Sequence, residues 1–102
     1  MHVEPSLRRY ILEIVHATRT DTRLFLGVSP RGSLALYRGA QAVAAIRGRD
    51  YVVPEDIRDI ALPVLRKRMI IKSEHVAKGL TEAAAVTSFL EAVGAPPLKD
   101  VV

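Results

Sequence analysis

From about Pro5 to Thr20 the apolar positions Leu7, Tyr10, Ile11, Ile14 and Val15, joined by Thr18, recur at intervals of three and four residues, with Arg8, Arg9, Glu13 and His16 between them. That period predicts an amphipathic helix. The stretch Asp21 to Val28 holds a short apolar run, Leu24-Phe25-Leu26, without polar alternation. It reads as a connector packed on the core rather than an independent strand. A second helix, about Pro30 to Arg47, is apolar over more of its surface, with Leu34, Leu36, Tyr37, Ala40, Val43, Ala44 and Ile46. It is predicted to be the central helix of a bundle, and its small residues, Gly39, Ala40 and Ala42 to Ala45, let neighbouring helices approach closely.

Gly48-Arg49-Asp50 ends that helix, and Tyr51-Val52-Val53 forms a short extended piece leading into Pro54. Pro54 takes the first position of a third helix, Glu55 and Asp56 complement its dipole, and Ile57, Ile60, Ala61, Val64, Leu65 and Met69 make an apolar stripe. Val53 cannot supply a side-chain cap, a loss of about 1 kcal/mol. Pro63 either kinks this helix or separates it from a new one near Leu62, because proline removes a backbone hydrogen bond at a cost of about 3 kcal/mol. Met69 to Lys72 is predicted to be extended and to pair with Tyr51 to Val53. A last helix follows Gly79: Thr81 caps it, Glu82 sits in its first turn, Ala83, Val86, Phe89, Leu90 and Val93 share a face, and Gly94 with Pro96-Pro97 stops it. The expected architecture is all-α, a small bundle of four to five helices with a minor two-stranded β patch. It forms one domain over residues 1–95 and a loose tail over 96–102.

A chain of 102 residues is about one domain. With 49% hydrophobic and 25% charged residues it has the balance of an ordinary folded domain, not of a disordered chain. No apolar run approaches the roughly 18 residues of a membrane span, and Met1-His2-Val3-Glu4-Pro5 lacks signal-peptide character, so a cytoplasmic setting is expected. The absence of cysteine removes disulfides, thiolate catalysis and Cys-type zinc sites. The net charge is +4 and eleven of the fifteen basic residues are Arg, a balance that suits phosphate or carboxylate partners. The basic residues are scattered, and the single run Arg66-Lys67-Arg68 suits a helix C-terminus. No G-x-x-x-x-G-K-[S/T] loop and no H-E-x-x-H motif occurs. His2, His16 and His75 stand apart from metal ligands and read as surface or core residues, so no catalysis is expected of this chain alone.

One turn is electrostatically out of place. In Gly27-Val28-Ser29-Pro30-Arg31-Gly32-Ser33, Ser29 is predicted to cap the second helix and Pro30 to take its first position. Arg31 then falls in the first turn, at the positive end of the helix dipole, where an acidic residue is favoured. A cation at that place either extends into water or meets an anion supplied from elsewhere, such as a phosphate. Arg38 lies seven residues on, about 10 Å along the same stripe.

Ala17-Thr18-Arg19, the Gly27 to Leu36 segment, Ala40, Ala42, Gly48-Arg49-Asp50-Tyr51-Val52-Val53-Pro54-Glu55-Asp56-Ile57 and Pro63-Val64-Leu65-Arg66-Lys67-Arg68 together resemble the C-terminal helical lid of a MoxR-type AAA+ ATPase. The resemblance runs from about Pro5 to Glu91. It implies a lid that packs beside a nucleotide-binding core, with Arg31 matching the sensor 2 arginine that reaches the phosphates of ATP. Ser29 and Pro30 shape that site, and Arg38 is a further candidate toward nucleotide or a neighbouring subunit. Further implications are ATP with Mg2+ held mainly by an N-terminal AAA+ core of the same polypeptide, and a ring of subunits, commonly a hexamer, in which Arg66 and Arg68 are candidate contacts to the adjacent subunit. Chaperone-like remodelling or maturation of other proteins is implied as well, often alongside von Willebrand factor A-type proteins. Because the P-loop core is not in the sequence, the expectation is a lid excised from a longer ATPase. The alternatives are a basic helical nucleic-acid-binding module, which the pI of about 9.9 allows, and an interaction domain without nucleotide.

Overall fold

Glu4 precedes Pro5, whose fixed φ suits the first helical position, and α1 (Pro5–Thr20) follows as the apolar period predicts. Leu7, Tyr10, Ile11, Ile14, Val15 and Thr18 are its buried residues. The computed structural model describes residues 1–96. Beyond α1 the order is β1 (Leu24–Leu26), α2 (Pro30–Ile46), α3 (Pro54–Leu65), a 3-10 turn over Arg66–Arg68, β2 (Ile70–Ile71), α4 (Ser73–Ala77) and α5 (Glu82–Ala92). The result is the expected all-α bundle with a small β patch.

α2 lies along α3 and against α1, and α5 closes the bundle against α3 and α1. Leu36, Ala40 and Ala44 of α2 are fully buried, with Leu7 and Ile14 of α1 and Ile57, Ala61 and Leu65 of α3. Close approach of α2 and α3 depends on small residues: a Cβ on Gly39 would stand 3.2 Å from Ile60 Cγ1 and 3.5 Å from Val64 Cγ2. α3 continues through Pro63 without a break and tightens into the 3-10 turn only after Leu65. Thr81 caps α5 as expected, its hydroxyl accepting from the Ala84 amide at 3.1 Å.

The β patch uses a different partner from the one predicted. Leu24 to Leu26, read as a connector, is a strand that pairs antiparallel with Ile70–Ile71, matching Leu24 to Ile71 and Leu26 to Ile70. Leu24 is buried while Phe25 and Leu26 are exposed, so the strand lacks the alternation that would have marked it. Tyr51 bridges instead to His2 in parallel, with the Val52 amide donating to the His2 carbonyl at 3.1 Å. The short α4 was not foreseen; its five residues are fewer than the helical period needs to become visible. From residue 97 onward, the tail expected over 96–102 lies outside the described residues. Among the described residues no helix is long and apolar enough to cross a membrane.

Candidate functional site

The turn that carries Arg31 is fastened to the end of α1. The Val28 amide donates to the buried Thr18 hydroxyl at 3.0 Å, and that hydroxyl donates to the Val15 carbonyl at 2.7 Å. Gly27 lies directly on the α1 backbone, for a Cβ there would stand 2.7 Å from the Thr18 oxygen and 2.8 Å from Arg19 Cα. Gly32 is just as constrained, since its Cβ would stand 2.0 Å from Val28 Cγ1. Two glycines and one hydroxyl therefore fix the path into α2.

Pro30 occupies the first turn as predicted, and the Gly32 amide donates to the Ser29 carbonyl at 2.8 Å. The predicted cap by Ser29 is corrected: Ser29 stands at the N-cap in extended conformation, but its side chain makes no capping hydrogen bond. Of the two amides such a cap could take, that of Gly32 is paired with the Ser29 carbonyl and that of Arg31 is left open. Among the described residues the Arg31 amide has no partner and the exposed Arg31 guanidinium pairs with no carboxylate. The sequence contains no Asp or Glu between Asp21 and Asp50. The first turn of α2 thus carries an open amide and an unpaired guanidinium at the positive end of the helix dipole, with no acidic residue of the chain close in sequence. These groups fit the oxygens of a phosphate.

To one side of Arg31 runs a shallow apolar groove between α1 and α2, lined by Ile11, Leu12, Pro30, Leu34 and Tyr37. Leu12 and Leu34 are 59% and 50% exposed, unusually open for residues of that size. Arg38 is exposed on the same stripe of α2 as Arg31 and pairs with no carboxylate among the described residues.

A second polar centre was not recognised in the sequence. Asp56, read there as a dipole partner of α3, is fully buried. Its carboxylate accepts from Arg47 at 3.1 Å, from Arg49, and from the Val53 amide at 2.9 Å. The last contact answers the missing side-chain cap of Val53, because the acid in the first turn reaches back to the open amide. Arg49 also lies over the Tyr51 ring, 6.0 Å from its centroid. Arg47 and Arg49, nine and seven residues before the acid, were the available signal. This cluster fixes the α2–α3 connection and leaves the acid no free oxygen for chemistry.

Just past the C-terminus of α1, Arg23 binds Asp21 at 2.6 Å and the Ser88 hydroxyl at 2.8 Å, tying the start of β1 to α5. The Arg23 hydrogen bonds hold the Asp21 carboxyl below its ordinary range. Burial pushes the Tyr10 hydroxyl up, and it has no hydrogen-bond partner among the described residues. His2 pairs with Glu4 and His75 lies 3.9 Å from Glu74. Among the described residues no group of three or more His, Cys, Asp or Glu side chains is placed to hold a metal ion.

Residues 16–88 match the AAA lid domain family. Over 96 residues the chain is 42% identical to the uncharacterized protein YeaC of Bacillus subtilis, covering 94% of this chain and 30% of that protein. It is 31% identical over 108 residues to chaperone MoxR1 of Mycobacterium tuberculosis, covering 97% of this chain and 29% of that one. The crystal structure of a "putative ATPase" from Cytophaga hutchinsonii superposes with a TM-score of 0.84 at 32% identity, over 93% of this chain and 32% of that chain. The chain thus spans under a third of the length of these curated relatives, 30% and 29%.

Proposed function

The chain belongs to the AAA lid domain family, in the MoxR group of AAA+ ATPases, and from that premise we propose that it supplies a sensor 2 arginine, Arg31, to ATP held on an AAA+ core. The observation that carries this reading is the unpaired Arg31 guanidinium on a turn that Thr18, Gly27 and Gly32 hold in place. Ser29 and Pro30 set the entry into α2, and Arg38 extends the same stripe toward nucleotide or a neighbouring subunit.

Residues 1–95 act in this reading as one lid unit in the cytoplasm. The core, an N-terminal part of the same polypeptide, binds the nucleotide with Mg2+, and the lid places a fixed positive charge beside the phosphates. Positioning and charge stabilisation are the protein's main contributions to phosphoryl transfer, because charge is redistributed over the phosphate oxygens as the bond breaks. An arginine on a pre-formed turn needs little reorganisation to meet that charge. The parent ATPase works as a ring, commonly a hexamer, in chaperone-like remodelling of other proteins, with von Willebrand factor A-type proteins among its partners.

A structure of the ATPase bound to a non-hydrolysable ATP analogue tests this reading. The expected result is an Arg31 guanidinium nitrogen about 2.7–2.9 Å from a phosphate oxygen. Arg31 in solvent, or on a protein carboxylate, with the nucleotide fully bound would refute it.

A further inference from the structure

After α5 the chain turns back onto the domain. Gly94 and Ala95 are exposed, but Pro96 is half-buried and lines an open cleft of about 890 Å³. The first half of α3 gives this cleft Pro54 and Arg58, and the second half of α5 gives it Leu90 and Glu91. Tyr51, on the extended piece before α3, forms a further wall. Tyr51, Pro54 and Leu90 are each only half-buried, so the cleft retains apolar surface whose covering would be favourable.

The segment that reaches the cleft at Pro96 continues as Pro97-Leu98-Lys99-Asp100-Val101-Val102. Two successive prolines favour the extended polyproline form, because each fixes its own φ and the second keeps the residue before it out of the helical region. A segment that is already extended loses little freedom on docking, and aromatic-lined grooves take such segments. Six residues in that form reach about 19 Å, against about 8 Å along α3 from Pro54 to Asp59. The reach is enough to cross the cleft. The chemistry also matches: Leu98 brings an apolar side chain two residues past Pro96, and Lys99 and Asp100 bring one charge of each sign, as Glu91 and Arg58 do on the two walls.

We propose that residues 97–102 dock in this cleft as an extended strap, with Leu98 against Tyr51 and Leu90, and so join α5 to the start of α3. Pro96 already stands in the cleft wall, which selects the chain's own segment as the occupant. Those six residues arrive tethered, at the high effective concentration of a short connection, whereas a segment of another molecule has to arrive from solution. None of residues 27–31 lines the cleft, so the strap and the reading of Arg31 stand or fall separately.

NMR spectroscopy of the 102-residue chain tests the strap. Nuclear Overhauser contacts are expected between the Leu98 methyl groups and the Tyr51 ring. Leu98→Asp should abolish them and shift the amide resonances of Tyr51, Leu90 and Glu91, while Leu12 and Leu34, in the separate groove between α1 and α2, should keep theirs. Leu98→Met should preserve the contacts. The Leu98 and Lys99 amides should exchange with solvent about tenfold more slowly in wild type than in Leu98→Asp, as local closure requires. Absence of contacts from Leu98 to the cleft, with resonances there unchanged by Leu98→Asp, would overturn the proposal. Contacts found only between differently labelled copies in a mixed sample would give the cleft to a second copy and overturn it as well.

Discussion

The hydroxyl of Thr18, one residue before the exposed Arg19 at the end of α1, accepts the amide of Val28 at 3.0 Å and so ties the first helix to the mouth of the second. Both residues are buried, so water cannot replace the bond. Thr18→Val keeps the shape and leaves the Val28 amide unpaired, a loss of about 1–3 kcal/mol. Urea denaturation should show that loss, and Thr18→Ser should recover most of it.

Gly27 and Gly32 should be the least replaceable glycines of the chain, and Gly32 is the one that opens α2. A methyl group there would stand 2.0 Å from Val28 Cγ1 and force the turn outward, at about 1–3 kcal/mol. Gly48 has φ +78° and open space around it, so Gly48→Ala costs only the left-handed backbone penalty of about 1–2 kcal/mol. Denaturation of the two variants should separate these causes: Gly32→Ala alone should also shift the Arg31 amide resonance, because only there does the turn move.

Asp56→Asn should destabilise the domain by roughly 1.5–3 kcal/mol, the range for a hydrogen bond to a charged group. The carboxylate is fully buried and serves Arg47, Arg49 and the Val53 amide together. Asp59 makes the comparison: it also binds Arg47, at 2.7 Å, but is 46% exposed, so Asp59→Asn should cost less than about 1 kcal/mol. Thermal melts of the two variants check the order.

Acid should weaken the contact between β1 and α5. The Asp21 carboxyl is held below its ordinary value of 3.8 by Arg23, so the folded chain binds this proton less readily than the unfolded chain. Its contribution is therefore complete above about pH 3.8 and fades as the pH falls from there through the lower folded value. Asp21→Asn should be less stable than wild type at neutral pH, and the difference should shrink below that range. Stability measured by denaturant at several pH values between 2 and 7 reads this directly.

The helices were legible because each carries an apolar stripe at its own period, as with Leu7 to Thr18 in α1 and Ile57 to Leu65 in α3. Local caps were legible only in part: Thr81 caps α5, whereas Ser29, read by the same rule, makes no capping hydrogen bond. What escaped were pairings between distant segments: Leu24 to Leu26 gives no sign of Ile70–Ile71 because the register depends on how the bundle places both. Asp56 was assigned to the α3 dipole because its burial is a tertiary fact, although Arg47 and Arg49 lay within nine residues. The Ser29-Pro30-Arg31 turn was visible through proline and the misplaced cation. Its attachment to Thr18 and the approach of Arg68 to Gly32 depend on contacts across 10 and 36 positions.

The most direct measurement is steady-state ATP turnover by the assembled ATPase carrying Arg31→Ala, at saturating ATP and beside wild type. Arg31 is exposed and unpaired among the described residues, so folding stability should stay within about 0.5 kcal/mol of wild type. Turnover should fall on the order of 10²-fold, the scale for removing one pre-positioned group that stabilises developing charge. Wild-type kcat in a folded, nucleotide-saturated Arg31→Ala protein would contradict the assignment of Arg31 to the phosphates.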